Sequence, residues 1–145
     1  MVKIEESAVI NRPVEDVFAF VSNPKNDSQW QSNTTETKIT SQGPIGVGTT
    51  YRDVTQFLGR RIESIYEFTE YEANRKLSFK STSGPIPLEA TITCEPVEDG
   101  TKVNFSARAE PGGFFKLAEP LVARMAQRTW ATNYANLKDL LESQD

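Results

Sequence analysis

The sequence predicts an α+β protein: a seven-stranded, antiparallel, curved sheet wrapped around one long C-terminal helix, with two short helices after the first strand. Three observations carry this. Residues 34–109 read almost wholly as strand and turn, and the chain from Pro111 onward reads as one long amphipathic helix. The strand-like runs are joined by connections shorter than the dozen or so residues that a parallel crossover needs, so neighbours pair antiparallel. A twisted sheet closed by a single helix encloses a space, and an enclosed space suits a small-molecule partner.

Taken in order, Val2, Ile4, Ala8 and Ile10 share one parity and predict the first strand. Pro13 suits the first position of a helix, with Asn11 or Arg12 as its cap. Val14, Val17, Phe18 and Val21 then recur at helical spacing, with Glu15 and Asp16 in the first turn, where the helix dipole favours negative charge. Asn23-Pro24 ends that helix, because a residue before proline avoids the helical region. Residues 27–30 form a second short helix. Strand-like runs follow at 35–41, 49–58, 60–71, 76–82, 88–95 and 101–109. Gly59 marks one tight turn, and Glu98-Asp99-Gly100-Thr101 is a strong hairpin signal. Phe114, Leu117, Ala118, Leu121, Val122 and Met125 make an apolar stripe that Tyr134, Leu137, Leu140 and Leu141 continue. Pro120 interrupts it: either the helix kinks there, or residues 114–119 are a separate turn and the main helix starts at Pro120.

The 145 residues suit a single domain spanning 1–145. A net charge of −4 argues against a general nucleic-acid binder, and Arg60, Arg61, Arg124 and Arg128 read as solvated strand-end and helix-face residues. Cys94 is the one cysteine, so no internal disulfide forms. No leader pattern and no apolar run of about 18 residues is present, which predicts a cytoplasmic protein without membrane insertion, as monomer or homodimer.

Histidine is absent, which removes His-based acid–base catalysis and His-ligated metals. Cys94 points inward by parity and reads as a small buried hydrophobe. Gly43-x-x-Gly46-x-Gly48 lacks the Lys-Ser/Thr ending and the following helix of a phosphate loop. No metal or cofactor is expected. Carboxylates, tyrosines and arginines remain. Asp53 shares parity with Tyr51, Thr55 and Phe57. Facing an apolar cavity, its pKa would rise and it could act as acid or base; at the rim or on the outer face it would do neither. Arg108, Arg124 or Arg128 beside it would bind an enolate or carboxylate, so Asp53 and Arg108 are the candidate catalytic pair.

The expected ligand-binding set is Tyr51, Phe57, Tyr66, Phe79 and Phe105 on the sheet with Leu117, Leu121 and Met125 on the helix. Phe114, just after Gly112-Gly113, is placed at the entrance. A dry void of about 500 Å³ would cost on the order of 12 kcal/mol, which rivals the whole stability of a domain. Partial filling by these rings and a moderate pocket are therefore expected.

Several segments carry a family resemblance. They are the lead-in Ile10-Asn11-Arg12-Pro13-Val14-Glu15-Asp16-Val17-Phe18, Trp30 after the second helix, and Gly46-x-Gly48-Thr49 opening a strand. The mid-sheet turn from Glu67 to Leu77, Gly100-Thr101-x-Val103 and the terminal Asn136-Leu137-Lys138-x-Leu140-Leu141-Glu142 complete the match. On these the chain resembles the START-like superfamily of helix-grip proteins, and within it the polyketide cyclase/dehydrase-like branch, over essentially its whole length. The resemblance implies a helix across the mouth of a curved sheet, with lipids, polyketides or other apolar ligands held between them. It leaves three functional readings: a carrier or sensor of a small apolar ligand, a cyclase or dehydratase, and a partner-binding module. The last would be favoured by exposure of Ile65, Tyr71 or Trp130.

Overall fold

The computed structural model of the chain describes residues 1–143, apart from the side chain of Phe114; Gln144 and Asp145 lie outside the described residues. Strand β1 (Val2–Ile10) leads into helix α1 (Val14–Val21), a 3-10 turn (Pro24–Asn26) and helix α2 (Asp27–Trp30). Six strands follow: β2 (Thr34–Ile39), β3 (Thr50–Phe57), β4 (Arg60–Glu72), β5 (Lys76–Ser83), β6 (Leu88–Val97) and β7 (Gly100–Ala109). A short α3 (Phe114–Leu117) and the long α4 (Glu119–Glu142) close the chain. The sheet has seven strands in the order β1-β7-β6-β5-β4-β3-β2, all neighbours antiparallel.

Each connection from β2 to β7 returns the chain beside the strand just left, and only β1 crosses to the far edge to pair with β7, from Val2↔Ala109 to Ile10↔Thr101. Val2, Ile4 and Ile10 are buried on the concave side, as are Ala90, Ile92 and Cys94 of β6 and Val103, Phe105, Ala107 and Ala109 of β7. Alternation of this kind is what one covered face demands. The pattern breaks in β4. Ile62, Ser64 and Phe68 are buried, but a register shift between Phe68 and Glu70 turns Tyr71 inward in place of its neighbour. One inserted residue reverses the facing of everything after it. Tyr71 thus meets Phe18 of α1 at 5.4 Å between ring centroids.

Two turns depend on unusual backbone. Leu58 and Gly59 both have positive φ (52° and 76°), which the two-residue β3–β4 hairpin requires. Gly100 has φ 134°, and a Cβ there would run into the carbonyl oxygen of Ile10. Only glycine lets β7 begin so close to the end of β1.

Pro13 is the residue before α1 rather than its first, and Val17, Phe18 and Val21 are the buried stripe. At the other end, Ala118 (φ −105°, ψ 25°) separates α3 from α4, so the second alternative for Pro120 holds and the proline sits in the first turn of α4. Val122, Asn133, Tyr134, Leu137 and Leu141 are buried, whereas Leu117 is 89% exposed and Leu121 48%. The expectation that Leu117 and Leu121 face the interior is corrected: Leu117 precedes the break, in α3, and Leu121 lies about 100° round α4 from Val122, off the stripe that Val122, Tyr134, Leu137 and Leu141 bury. Helix α4 is tied to the rest by polar contacts. The buried Asn133 side-chain oxygen accepts from the Ser32 N–H at 2.8 Å and from its hydroxyl at 3.1 Å. Arg12 donates to the carbonyl of Leu141, and Lys138 to that of Val9.

Candidate functional site

Between the sheet and the N-terminal half of α4 lies a cavity of about 120 Å³. Val2 and Ile4 of β1, Ile62 of β4 and Leu88 of β6 form its apolar wall. Val122, Ala126, Thr129 and Trp130 of α4 roof it at helical spacing. Phe57 stands at one end, its ring 6.1 Å from that of Phe115. Polar groups gather on one side: Asp53, Thr55, Ser64 and Tyr66 from β3 and β4, with Gln31 and Asn33 from the segment after α2.

The strand register builds this polar side. Thr37 of β2, Asp53 of β3 and Ser64 of β4 lie opposite one another in a row across three strands. Asp53 is 7% exposed, and its Oδ1 accepts from the Thr37 hydroxyl at 3.0 Å. Among the described residues no hydrogen bond reaches its other oxygen. Burial pushes the Asp53 carboxyl up from 3.8 to about 6, and the Thr37 hydroxyl opposes this by favouring the charged form. Tyr66 is likewise pushed up to about 12, chiefly by burial and then by the charge of Asp53. It stacks on Tyr51 at 5.4 Å between ring centroids.

A narrower recess of about 20 Å³, lined by Asp27, Trp30, Tyr51 and Phe79, lies beyond. Asp27 is 7% exposed; burial first and the Asp53 charge second hold its carboxyl well above the usual carboxylate range. The other half of the interior is solid. Phe105 stacks on Trp130 at 4.1 Å, and Trp30 and Tyr134 pack edge-on against Trp130.

The sequence-predicted site residues therefore separate. Asp53, Phe57 and Tyr66 line the cavity, and Tyr51 and Phe79 line the recess. Phe105, 2% exposed, belongs to the solid half. Met125 is half-buried on α4, beside the roof rather than in it. Leu117 and Leu121 face outward, and the Phe114 side chain lies outside the described residues. The pairing of Asp53 with an arginine is corrected. Arg108 alternates with the inward Ala107 and Ala109 and is exposed on the outer face, where its guanidinium meets Met1 Sδ at 3.8 Å. Arg124 and Arg128 are exposed on α4 as well. Among the lining residues that escaped sequence reading are Ser64, Asp27 and Trp130. Spacing could have found Trp130, which lies eight residues, about two turns, beyond Val122. Nothing local marks Asp27 as buried, since an acidic residue opening a helix is usually solvated.

Cys94 is buried and its thiol is pushed up to about 12, as an inert core residue requires. Among the described residues no group of three or more His, Cys, Asp or Glu could hold a metal ion, and no helix is long and apolar enough to cross a membrane.

Residues 1–142 match the model of the family described as polyketide cyclase / dehydrase and lipid transport. The chain belongs to this family. Solved structures agree on the helix-grip fold. A protein from Thermus thermophilus superposes with a TM-score of 0.84 at 20% identity, over 98% of this chain and 99% of that one. One from Chromobacterium violaceum gives 0.78 at 16% identity, over 99% and 100%. A START superfamily protein from Mycobacterium smegmatis gives 0.75 at 15% identity, over 97% of each chain. No curated protein sequence matches. These likenesses carry the fold and not the ligand.

Proposed function

We propose that this START-like protein binds a small, largely apolar ligand in the cavity between the sheet and α4, as a cytoplasmic carrier or sensor. The observation that carries the reading is the cavity itself: about 120 Å³, mostly apolar, with a few polar groups on one side. Its size narrows the ligand. A cavity of about 150 Å³ holds a benzene molecule. The space here matches one ring or a short branched chain. Native mass spectrometry of protein purified from cells tests the reading. A retained organic adduct, displaced by excess benzyl alcohol, is the expected result. Protein that carries no adduct and shifts no resonance with benzyl alcohol up to tens of millimolar would refute it.

A second reading, a metal-independent cyclase or dehydratase, is favoured by one observation: Asp53, with a pKa of about 6, lines the cavity and could take up and return a proton near neutrality. Against it, no arginine or lysine is among the described residues that line the cavity to stabilise an enolate. The partner-binding reading loses two of its three supports, because Tyr71 and Trp130 pack inward and Ile65 alone, 38% exposed, faces solvent.

A further inference from the structure

Three features of the cavity bear on what kind of ligand it takes, given that it takes one. The one carboxylate among its described lining residues, Asp53, keeps one oxygen unbonded, the other being held by Thr37. Three aromatic rings, Phe57, Tyr66 and Trp130, line the same space, and the faces of such rings attract cations. None of the residues lining it is lysine or arginine, so no group there would neutralise a bound anion.

We propose that the cavity selects small cationic amines: one aromatic or branched apolar group bearing a protonated amine, which donates to the free oxygen of Asp53. This rests on the ligand-binding reading above and names the class of ligand. An ammonium would put positive charge beside a carboxylate that burial has deprived of solvation, and the resulting charge-assisted bond is stronger than a neutral one. A carboxylic acid would instead bring a second negative charge beside Asp53. Fatty acids are rejected on that ground.

The titratable groups around Asp53 are few. Asp27 of α2, Tyr51 of β3 and Tyr66 of β4 interact with its charge. The roof residues Val122, Ala126, Thr129 and Trp130 bring none, nor do Val2, Ile4, Leu88 and Ala109 of the other strands. Amine binding should therefore follow the ionisation of Asp53 and weaken as pH falls from 7.5 to 5.

The test compares benzylamine, benzyl alcohol and benzoate, which share a ring and differ in the polar group. Each is titrated into the wild type and Asp53→Asn, following the Trp130 indole resonance. Benzylamine should bind the wild type about tenfold more tightly than benzyl alcohol, and benzoate more weakly than either. In Asp53→Asn the amine should lose its advantage over benzyl alcohol. Benzyl alcohol binding as tightly as benzylamine, benzoate binding best, or an amine preference that survives Asp53→Asn would overturn the proposal and leave the cavity reading intact. Failure of all three probes to bind would remove the cavity reading, and the proposal with it.

Discussion

Trp130 of α4 lies flat against Phe105 of β7, ring centroids 4.1 Å apart and planes 21° from parallel. This stack divides the interior. On one side Trp30 and Tyr134 pack against the pair; on the other Trp130 borders the cavity. Phe105→Ala should cost about 3–5 kcal/mol, the usual range for emptying a buried aromatic site, and let Trp130 tilt away from the cavity. Urea unfolding with ring-current shifts of Trp130 would show both. A loss below about 1 kcal/mol would mean that the stack supports little.

The acidic side of the cavity predicts an unusual pH dependence. Burial raises the Asp53 carboxyl from 3.8 to about 6, so folding favours its protonated form. That stabilisation is complete below pH 3.8 and is lost as pH rises through about 6. The shift corresponds to roughly 3 kcal/mol. Asp53→Asn abolishes this titration. Relative to the wild type it should gain stability between pH 4 and pH 8, by on the order of 1–3 kcal/mol. Melting temperatures measured across that range decide the matter, and a difference independent of pH would contradict the account.

Gly100→Ala should destabilise the fold severely, by more than the 0.4–1 kcal/mol typical of a tolerated glycine change. Its φ of 134° disfavours any side chain, and the new Cβ would overlap the Ile10 carbonyl. Gly46→Ala is the matched control, with ordinary backbone and open space around it. Equal stability of the two variants would show that the β1–β7 junction relaxes freely.

Cys94 should resist alkylation by iodoacetamide at pH 8 in the folded protein and react once unfolded, since it is buried with its thiol raised to about 12. Rapid labelling under native conditions would place it in a mobile or open region instead.

How much of this was legible in the sequence follows from what kind of signal each feature leaves. Alternation in β1, β6 and β7 is regular, so Ile92, Val103 and Phe105 could be placed facing inward by counting. The bulge after Phe68 leaves no such signal, and Tyr71 turns inward against any simple count. The long helix was visible, but its facing was not. Leu117 and Leu121 look like an interior pair, but the backbone breaks at Ala118 between them, and Leu121 sits one residue off the stripe that α4 buries through Val122, Tyr134, Leu137 and Leu141. For Asp53, parity set its side, while its neighbours depend on tertiary packing: Thr37 and Ser64 meet it through strand register. Arg108 illustrates the opposite failing. Its own alternation with Ala107 and Ala109 places it outside, and only the chemistry wanted for a catalytic pair suggested otherwise.

The central claim is that ligand space exists beneath α4. Ala126→Phe tests it most directly, because Ala126 roofs the cavity and the added ring would occupy it. Benzyl alcohol titrated by NMR should shift resonances of Val122, Thr129 and Trp130 in the wild type. In Ala126→Phe it should shift none, with the melting temperature held within a few degrees. If the wild type shows no binding, and Ala126→Phe destabilises by the roughly 1–3 kcal/mol of an overpacked core, the interior is solid and the ligand-binding account fails.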